Sequence, residues 1–300
     1  MGTIFQAIDS VLKQDYGNIQ IIIADDCSAN FDESAIREYV ELNKKDNITD
    51  YKVYRNAENL GTVKNINGAI KAASGEIIIN LAADDLLYSE HTVTEIVNEF
   101  EQSGCNILCT SRAVFSDSPE NVIGYMPNDY ERRQIKKFKT PKQQCAAIYT
   151  GRFYNMASGS AFSYRKDYVE KLGYFDEQYR LWEDGPFFVK SILNDGLLHY
   201  NYDIISIYYR WGGISTGEGN PILRADGAKF IQIGLQEGRV KGISKRILKA
   251  SRFGKRFKGK KFLRRLVKLF LYPDVYFVLL TDKLRFLFYK TFHRKGKTCK

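Results

Sequence analysis

Residues 19–28 read Ile-Gln-Ile-Ile-Ile-Ala-Asp-Asp-Cys-Ser, a nearly unbroken apolar run that stops at two adjacent carboxylates. Residues 76–87, Glu-Ile-Ile-Ile-Asn-Leu-Ala-Ala-Asp-Asp-Leu-Leu, repeat the arrangement. A short run of β-branched residues ending in polar ones reads as a strand buried on both faces. Two like charges at the end of such a strand repel each other unless a cation, a donor group or water sits there.

Working outward from these runs, strands and helices alternate. Residues 3–14 place Ile4, Ile8, Val11 and Leu12 on one helical face, and Gly17-Asn18 ends that helix. Helices are predicted over 32–44, 62–73 and 90–103, and strands over 51–54, 76–82 and 106–115. Such alternation implies βαβ units and an α/β fold with a mixed, mostly parallel sheet. Ligands of these sheets bind beyond the carboxyl ends of the strands. Asp25-Asp26 and Asp84-Asp85 both stand at such ends, so the two acidic pairs are expected to converge on one crevice. Further on, residues 130–150 are polar and basic, an excursion with helix. A turn at Ser158-Gly159-Ser160, a strand at 161–164, helices at 166–171 and 185–194 and strand-like segments over 197–210 follow. There is no internal repeat.

The 300 residues fit one large domain, or one domain with an appendage, and 44% hydrophobic content supplies a core. The net charge of +10 is uneven. Residues 241–300 hold 20 Lys/Arg against 2 Asp/Glu, whereas the first 240 hold 25 against 33. A mildly acidic body with a basic tail argues against uniform nucleic-acid binding. The five cysteines, Cys27, Cys105, Cys109, Cys145 and Cys299, are irregularly spaced and odd in number. They read as reduced thiols and suggest a cytosolic compartment. No signal peptide is visible, and no uncharged run reaches the ~18–20 residues of a membrane span.

Six motifs in order carry a resemblance over residues 3–216. Ser10-Val11-Leu12-Lys13-Gln14 leads to the strand ending Asp25-Asp26-Cys27-Ser28. Asn59-Leu60-Gly61 with Asn67-Gly68 follows, then Ser74-Gly75-Glu76 before the second acidic strand. Leu172 to Glu177 (Leu-Gly-Tyr-Phe-Asp-Glu), Glu183-Asp184, and Tyr209-Arg210 with Ser215 complete the series. Together they resemble the family-2 glycosyltransferases, inverting enzymes of GT-A fold. The resemblance implies roles. Asp26, with Asp25 beside it, corresponds to the carboxylate that accepts the uracil N3–H of a UDP-sugar donor. Asp84 and Asp85 correspond to the acidic pair at the ribose and at a Mn²⁺ or Mg²⁺ ion on the diphosphate. Asp184 corresponds to the catalytic base, with Glu183 its neighbour, and Arg210 with the loop to Thr216 to the segment that closes over the diphosphate. From the residues alone, Lys64 is a further phosphate-pairing candidate, three positions after Gly61.

The chemistry asks for such groups. Displacement at an anomeric carbon needs a stabilised leaving group, which a metal on the diphosphate provides. A positioned carboxylate takes the acceptor's proton as it attacks. The bland readings are that Asp84-Asp85 and Glu183-Asp184 cap the helices that follow, and that Lys64 lies on a solvated face.

Two departures stand out. Ala82 occupies a position where the family's D-x-D motif carries an acid. The family pattern also begins with an apolar strand ahead of the helix that opens here, so an uncovered slot in the sheet is expected, whether through a misplaced start, a fragment or a degenerate copy.

The tail, 221–300 in outline and 241–300 for its charge, alternates basic and apolar residues and reads as helices drawn to an anionic membrane surface. Helices packed on the body with a solvated basic face are the alternative. The expected partners are a nucleotide-sugar donor, a glycan or lipid-linked saccharide acceptor and anionic lipid, with no nucleic acid. Acceptor specificity is expected in loops over 115–160. The expected location is cytoplasmic, on the inner face of the cell membrane, in cell-surface polysaccharide synthesis. Two rivals differ in class: a catalytically degenerate relative that binds membrane or partner proteins, and a nucleic-acid-binding tail.

Overall fold

The computed structural model describes residues 2–152, 156–212, 219–253 and 261–293. In chain order the elements are α1 (Gly2–Leu12), β1 (Ile19–Asp25), α2 (Glu33–Asn43), β2 (Ile48–Arg55), α3 (Thr62–Ala72), β3 (Ile77–Ile79), β4 (Leu86–Leu87), α4 (Thr92–Ser103), β5 (Ile107–Phe115) and β6 (Val122–Met126). Then come α5 (Asp129–Ile135), α6 (Pro141–Thr150), β7 (Phe162–Arg165), α7 (Lys166–Lys171), α8 (Asp184–Asp195), β8 (His199–Arg210), α9 (Pro221–Gln236), α10 (Gly242–Arg252), α11 (Lys261–Leu271) and α12 (Pro273–His293).

Parallel pairs, β1 with β2 and β5 with β8, form the spine of the sheets, and the remaining pairs are antiparallel. The larger sheet runs β3-β7-β5-β8-β4, with β6 beside β5. All nine residues of β5 are buried, as expected for a central strand covered on both faces. Among the described residues β1 pairs only with β2, and β3 only with β7. One edge of each is therefore unpaired, and Ile19 packs in the same apolar cluster as Ile77 and Ile79.

Local chemistry sets the helix ends. Asp32 caps α2 by accepting from the Ala35 N–H. Asn128 with Glu131 and Thr140 with Gln143 form reciprocal capping boxes on α5 and α6. The excursion at 130–150 is thus two capped helices. Gly104 and Gly151 end α4 and α6 at φ of 64° and 65°, where a side chain is strained.

The largest core is aromatic, with Phe162, Tyr164, Phe175, Phe187 and Phe188 in mutual ring contact. Phe230 of α9, Val240 and Leu248 of α10 join the same cluster, so α9 and α10 are built into this core. Asn67, 1% exposed, ties α3 to the segment after α7. Its amide donates to the Phe175 carbonyl at 2.9 Å and accepts from the Phe175 N–H at 3.0 Å. The two motifs around Asn67 and Phe175 are therefore the two halves of one contact.

Candidate active site

Asp25-Asp26 sits where β1 gives way to a loop, whereas β3 stops at Ile79, short of the predicted 76–82, and Asp84-Asp85 lies in the turn just ahead of β4. At the end of β1, Asp25 Oδ2 accepts from the Ser28 N–H at 2.7 Å and lies 3.6 Å from Arg55. Asp26 is held more closely. Its carboxylate accepts from the N–H groups of Leu60 and Gly61, both at 2.8 Å, and from the Asn56 amide at 3.1 Å. Asp26 therefore shapes the Asn59-Leu60-Gly61 turn. Gly61 is required there: its φ is 88°, and a Cβ would lie 2.7 Å from the Arg180 carbonyl oxygen. Lys64 is exposed on the first turn of α3, without a contact among the described residues.

Beyond β3, Asp85 is 2% exposed and its Oδ1 accepts from the Arg210 N–H at 2.9 Å. Arg210 Nε donates to the Asp84 carbonyl at 3.3 Å, and its guanidinium stacks over Phe115 at 4.8 Å. The end of β8 is thereby fastened to the Asp84-Asp85 corner. Burial, with the Asp84 charge beside it, pushes the Asp85 pKa up to about 7, so an ionised Asp85 gains from a cation placed against it. Neither aspartate caps α4, whose N-cap is His91. Among the described residues no cluster of three or more His, Cys, Asp or Glu is arranged to hold a metal. The pair fits Mn²⁺ or Mg²⁺ in the manner in which one or two carboxylates act together with substrate phosphate oxygens.

Glu183 and Asp184 open α8, and Glu183 makes no side-chain capping bond. Asp184 Oδ2 instead accepts from the Gly159 N–H, and Oδ1 from the Gly185 N–H, both at 2.6 Å. The Trp182 side chain also favours the ionised form of this carboxylate. Both acids lie deep in the protein yet keep some surface open to the crevice. Burial raises both pKa values, and the charge of Asp184 raises that of Glu183 further.

Three residues that the motifs leave out hold these parts together. Arg112, in the middle of β5, donates to the hydroxyls of Ser158 and Ser160 at 2.6 and 2.8 Å, one on either side of Gly159. Its charge favours the ionised forms of both Asp85 and Asp184, so it acts on both acidic corners. Arg180 donates to the carbonyl and side-chain oxygens of Asn59, each at 3.0 Å. Asp226 Oδ2, on α9, accepts from three successive backbone N–H groups, Arg180, Leu181 and Trp182, at 3.0, 2.7 and 3.2 Å. A chain of contacts thus runs from Asp26 through Asn59 and Arg180 to Glu183-Asp184, and from Gly159 through Arg112 to Asp85 and Arg210. These links join Asp26, the Glu183-Asp184 corner and the Asp84-Asp85 corner in one open chain. Ser215 and Thr216 lie outside the described residues. A cavity of about 380 Å³ lies on the far side of α8, beside Tyr179, Lys190, Glu237 and Arg239, and none of the expected site residues lines it.

Comparison with known proteins agrees with this architecture. S. aureus TarS, in a crystal structure with UDP-GlcNAc, superposes with a TM-score of 0.56 at 20% identity, over 82% of this chain and 66% of that one. The mannosyltransferase PcManGT of Pyrobaculum calidifontis, in complex with GDP-Man and Mn²⁺, superposes with a TM-score of 0.52 at 15% identity, over 98% and 79%. These likenesses establish the GT-A fold. A putative colanic acid biosynthesis glycosyl transferase of Escherichia coli, WcaA, is 39% identical over 80 residues, 27% of each chain. An uncharacterised glycosyltransferase of Nostoc sp. is 27% identical over 182 residues, 60% of this chain and 52% of its own length. The chain thus spans about half of the Nostoc protein. The sequence pattern described as Glycosyl transferase family 2 matches residues 2–173, and the chain belongs to that family of glycosyltransferases.

Proposed function

We propose that the chain moves a sugar from a nucleoside-diphosphate sugar, UDP-linked by preference, onto a hydroxyl of a saccharide or lipid-linked saccharide, with inversion. Its place would be in cell-surface polysaccharide synthesis at the cytoplasmic face of a membrane. One observation carries this reading. A partly buried carboxylate, Asp184, is aimed by two backbone N–H groups, and the charge of one cation, Arg112, acts on both it and Asp85. The nucleotide preference draws on TarS with UDP-GlcNAc, and the polysaccharide context on the name given to the E. coli relative.

The chemistry follows from the residues. Asp184 takes the proton of the acceptor hydroxyl as that oxygen bonds to the anomeric carbon. The bond from that carbon to the diphosphate breaks with its electron pair, leaving on the opposite face. Asp184, as a carboxylate near the reacting carbon, also stabilises the positive charge that develops there. The Arg210 backbone N–H holds Asp85, and the Arg210 guanidinium would meet the departing diphosphate. Asp84 and Asp85 would hold the divalent ion, which when bound neutralises charge on the leaving diphosphate. Asp25, Asp26 and Lys64 flank the nucleotide side.

Calorimetric titration of UDP, with and without Mn²⁺, tests the reading. Binding that needs Mn²⁺ and is lost in Asp84→Ala and Asp85→Ala is expected. Failure of both UDP and GDP to bind in the presence of the ion overturns it.

A further inference from the structure

We infer that α11, with the outer stripe of α12, is a docking face for an anionic lipid surface. The inference rests on the tail itself and stands whichever sugar the crevice handles. It also narrows the expectation for the basic tail, because α10 is not part of that face. Ile247, Leu248 and Ala250 of α10 are 7%, 2% and 1% exposed, and the helix packs against α6 and α12.

On α11 the arrangement is reversed. Phe262 is 74% exposed, Phe270 86%, and Leu263, Leu266 and Leu269 are all exposed. Helical spacing gathers these five into one apolar arc. Arg265 and Lys268 fall on the other arc, and the helix contains no acidic residue. Helix α12 shows its apolar stripe the same way. Val275 is buried, Asp282 pairs with Arg152 at 2.5 Å, and Phe286 meets the Tyr130 ring at 5.4 Å, so one side is fixed to the body. The other side leaves Phe277, Leu280, Leu284 and Phe288 exposed. Of 20 exposed large apolar side chains among the described residues, 13 lie between 262 and 288. Exposed apolar side chains gathered on two packed helices mark an interaction surface.

Charge decides the occupant. Residues 241–300 carry 20 Lys/Arg against 2 Asp/Glu. A second copy docked on this face would bring two such tails together, and α11 has no acid to pair across the contact. Nucleic acid satisfies the charge but leaves the phenylalanines in water. An anionic bilayer surface takes both: the rings and leucines enter the headgroup boundary and the basic arc meets lipid phosphates. The corner is rigid. Arg246 of α10 bonds the Leu271 carbonyl at 3.1 Å and Asp274 Oδ1 at 2.8 Å, which fixes where α11 gives way to α12. Because α12 also holds Tyr130 and Arg152, the face is joined to the α5–α6 region, where acceptor specificity is expected.

The test is co-sedimentation of the full chain with vesicles of phosphatidylcholine alone and of phosphatidylcholine mixed with phosphatidylglycerol, at low and at high salt. Binding to the anionic vesicles only is expected, weakened by salt. Phe262→Ser with Phe270→Ser should lower it about tenfold or more. Arg265→Gln with Lys268→Gln should weaken it and flatten its salt dependence. UDP binding and the thermal transition, read on the same preparations, should not change, because these side chains lie outside the core and the crevice. Equal binding to both vesicle types, or unchanged binding of the double Phe variant, overturns the inference. So does a dimer that the double Phe variant turns into monomer while no vesicles bind, or RNA binding tighter than vesicle binding. Intact UDP binding beside failed vesicle binding removes the docking face alone. Intact vesicle binding beside failed UDP binding removes the transferase reading alone.

Discussion

The backbone N–H of Gly159 donates to Oδ2 of Asp184 at 2.6 Å, across 25 residues of sequence. A Cβ on residue 159 would lie 2.4 Å from Glu183 Oε1 and 3.3 Å from Asp184 Oδ2. The proposed base is therefore aimed by a glycine at which any added side chain must displace the Glu183 carboxylate.

Gly159→Ala is expected to displace both carboxylates and leave the nucleotide side intact. Misplacing a reacting group by about 1 Å loses on the order of a hundredfold in rate. Turnover should fall by about that factor while UDP affinity stays within about twofold, read by kinetics and calorimetry on one preparation. An equal loss in both would place the defect in the fold.

The end of β1 at Asp25-Asp26 was legible because a buried apolar run has few ways to end in two charges, whereas β3 stops at Ile79 and leaves Asp84-Asp85 in the turn before β4. The aim of those charges was not legible, because it depends on residues remote in sequence. Arg112 did leave a signal, being a cation in the run Ile107–Phe115, which is otherwise fit for a buried strand. That residue bears on two acidic corners only through the fold. Asp226 left none, since an aspartate on an amphipathic helix is ordinary. Strand β6 was missed because its Gly124 and the following Pro127 read as loop, while its pairing with β5 is tertiary. The motifs around Asn67 and Phe175 were read separately, and their mutual hydrogen bonds are what makes them a pair.

The acidic pair at the start of α8 sets a pH dependence. Burial raises the Asp184 pKa, and protonated Asp184 cannot accept a proton, so turnover should rise with pH along a limb lying above the ordinary carboxylate range. Because the Asp184 charge raises Glu183, which stays protonated while Asp184 ionises, Glu183→Gln should leave that limb in place. Stability runs the other way. A carboxyl whose folded pKa is raised holds its proton more tightly when folded, so stability is lost as pH climbs from the unfolded value through the folded one. Glu183→Gln should therefore melt higher than the parent above that window and show little gain below it. A pH–rate profile beside thermal melts across the range checks both signs.

Asp226 Oδ2 receives three successive N–H groups just ahead of the acidic pair, and the residue is 6% exposed. Asp226→Ala strands those donors. Each buried unsatisfied group costs about 1–3 kcal/mol, so a loss of several kcal/mol is expected. Asp226→Asn presents one oxygen at the same place and should recover most of it. Urea denaturation of the three proteins separates the outcomes; equal destabilisation by Ala and Asn would mean that charge, not the acceptor atom, organises the turn.

Asn67 exchanges two hydrogen bonds with the backbone of Phe175 and donates a third to Glu177 at 3.1 Å. Asn67→Leu is nearly isosteric and leaves a buried N–H and C=O without partners. A loss of about 2–4 kcal/mol follows, with crevice geometry affected only through Tyr179 and Arg180 downstream. The denaturation midpoint should fall, while the residual folded fraction at low temperature keeps its UDP affinity.

Cys27 adopts φ of 66°, the left-handed region, directly after Asp25-Asp26. The resemblance places glycine at this point of the motif, and a Cβ in that conformation costs about 1–2 kcal/mol. Its thiol returns only long contacts, 3.6 Å to the Ala57 carbonyl and 3.7 Å from Arg55 Nη2. Glycine releases the strain and loses some stabilisation because its unfolded chain is freer. The balance favours Cys27→Gly by up to about 1 kcal/mol, read as a higher melting temperature. The Ser28 N–H bond to Asp25 depends on the turn rather than on the thiol, so UDP affinity should hold. A melting temperature that falls would show that the Cys27 contacts outweigh the backbone strain.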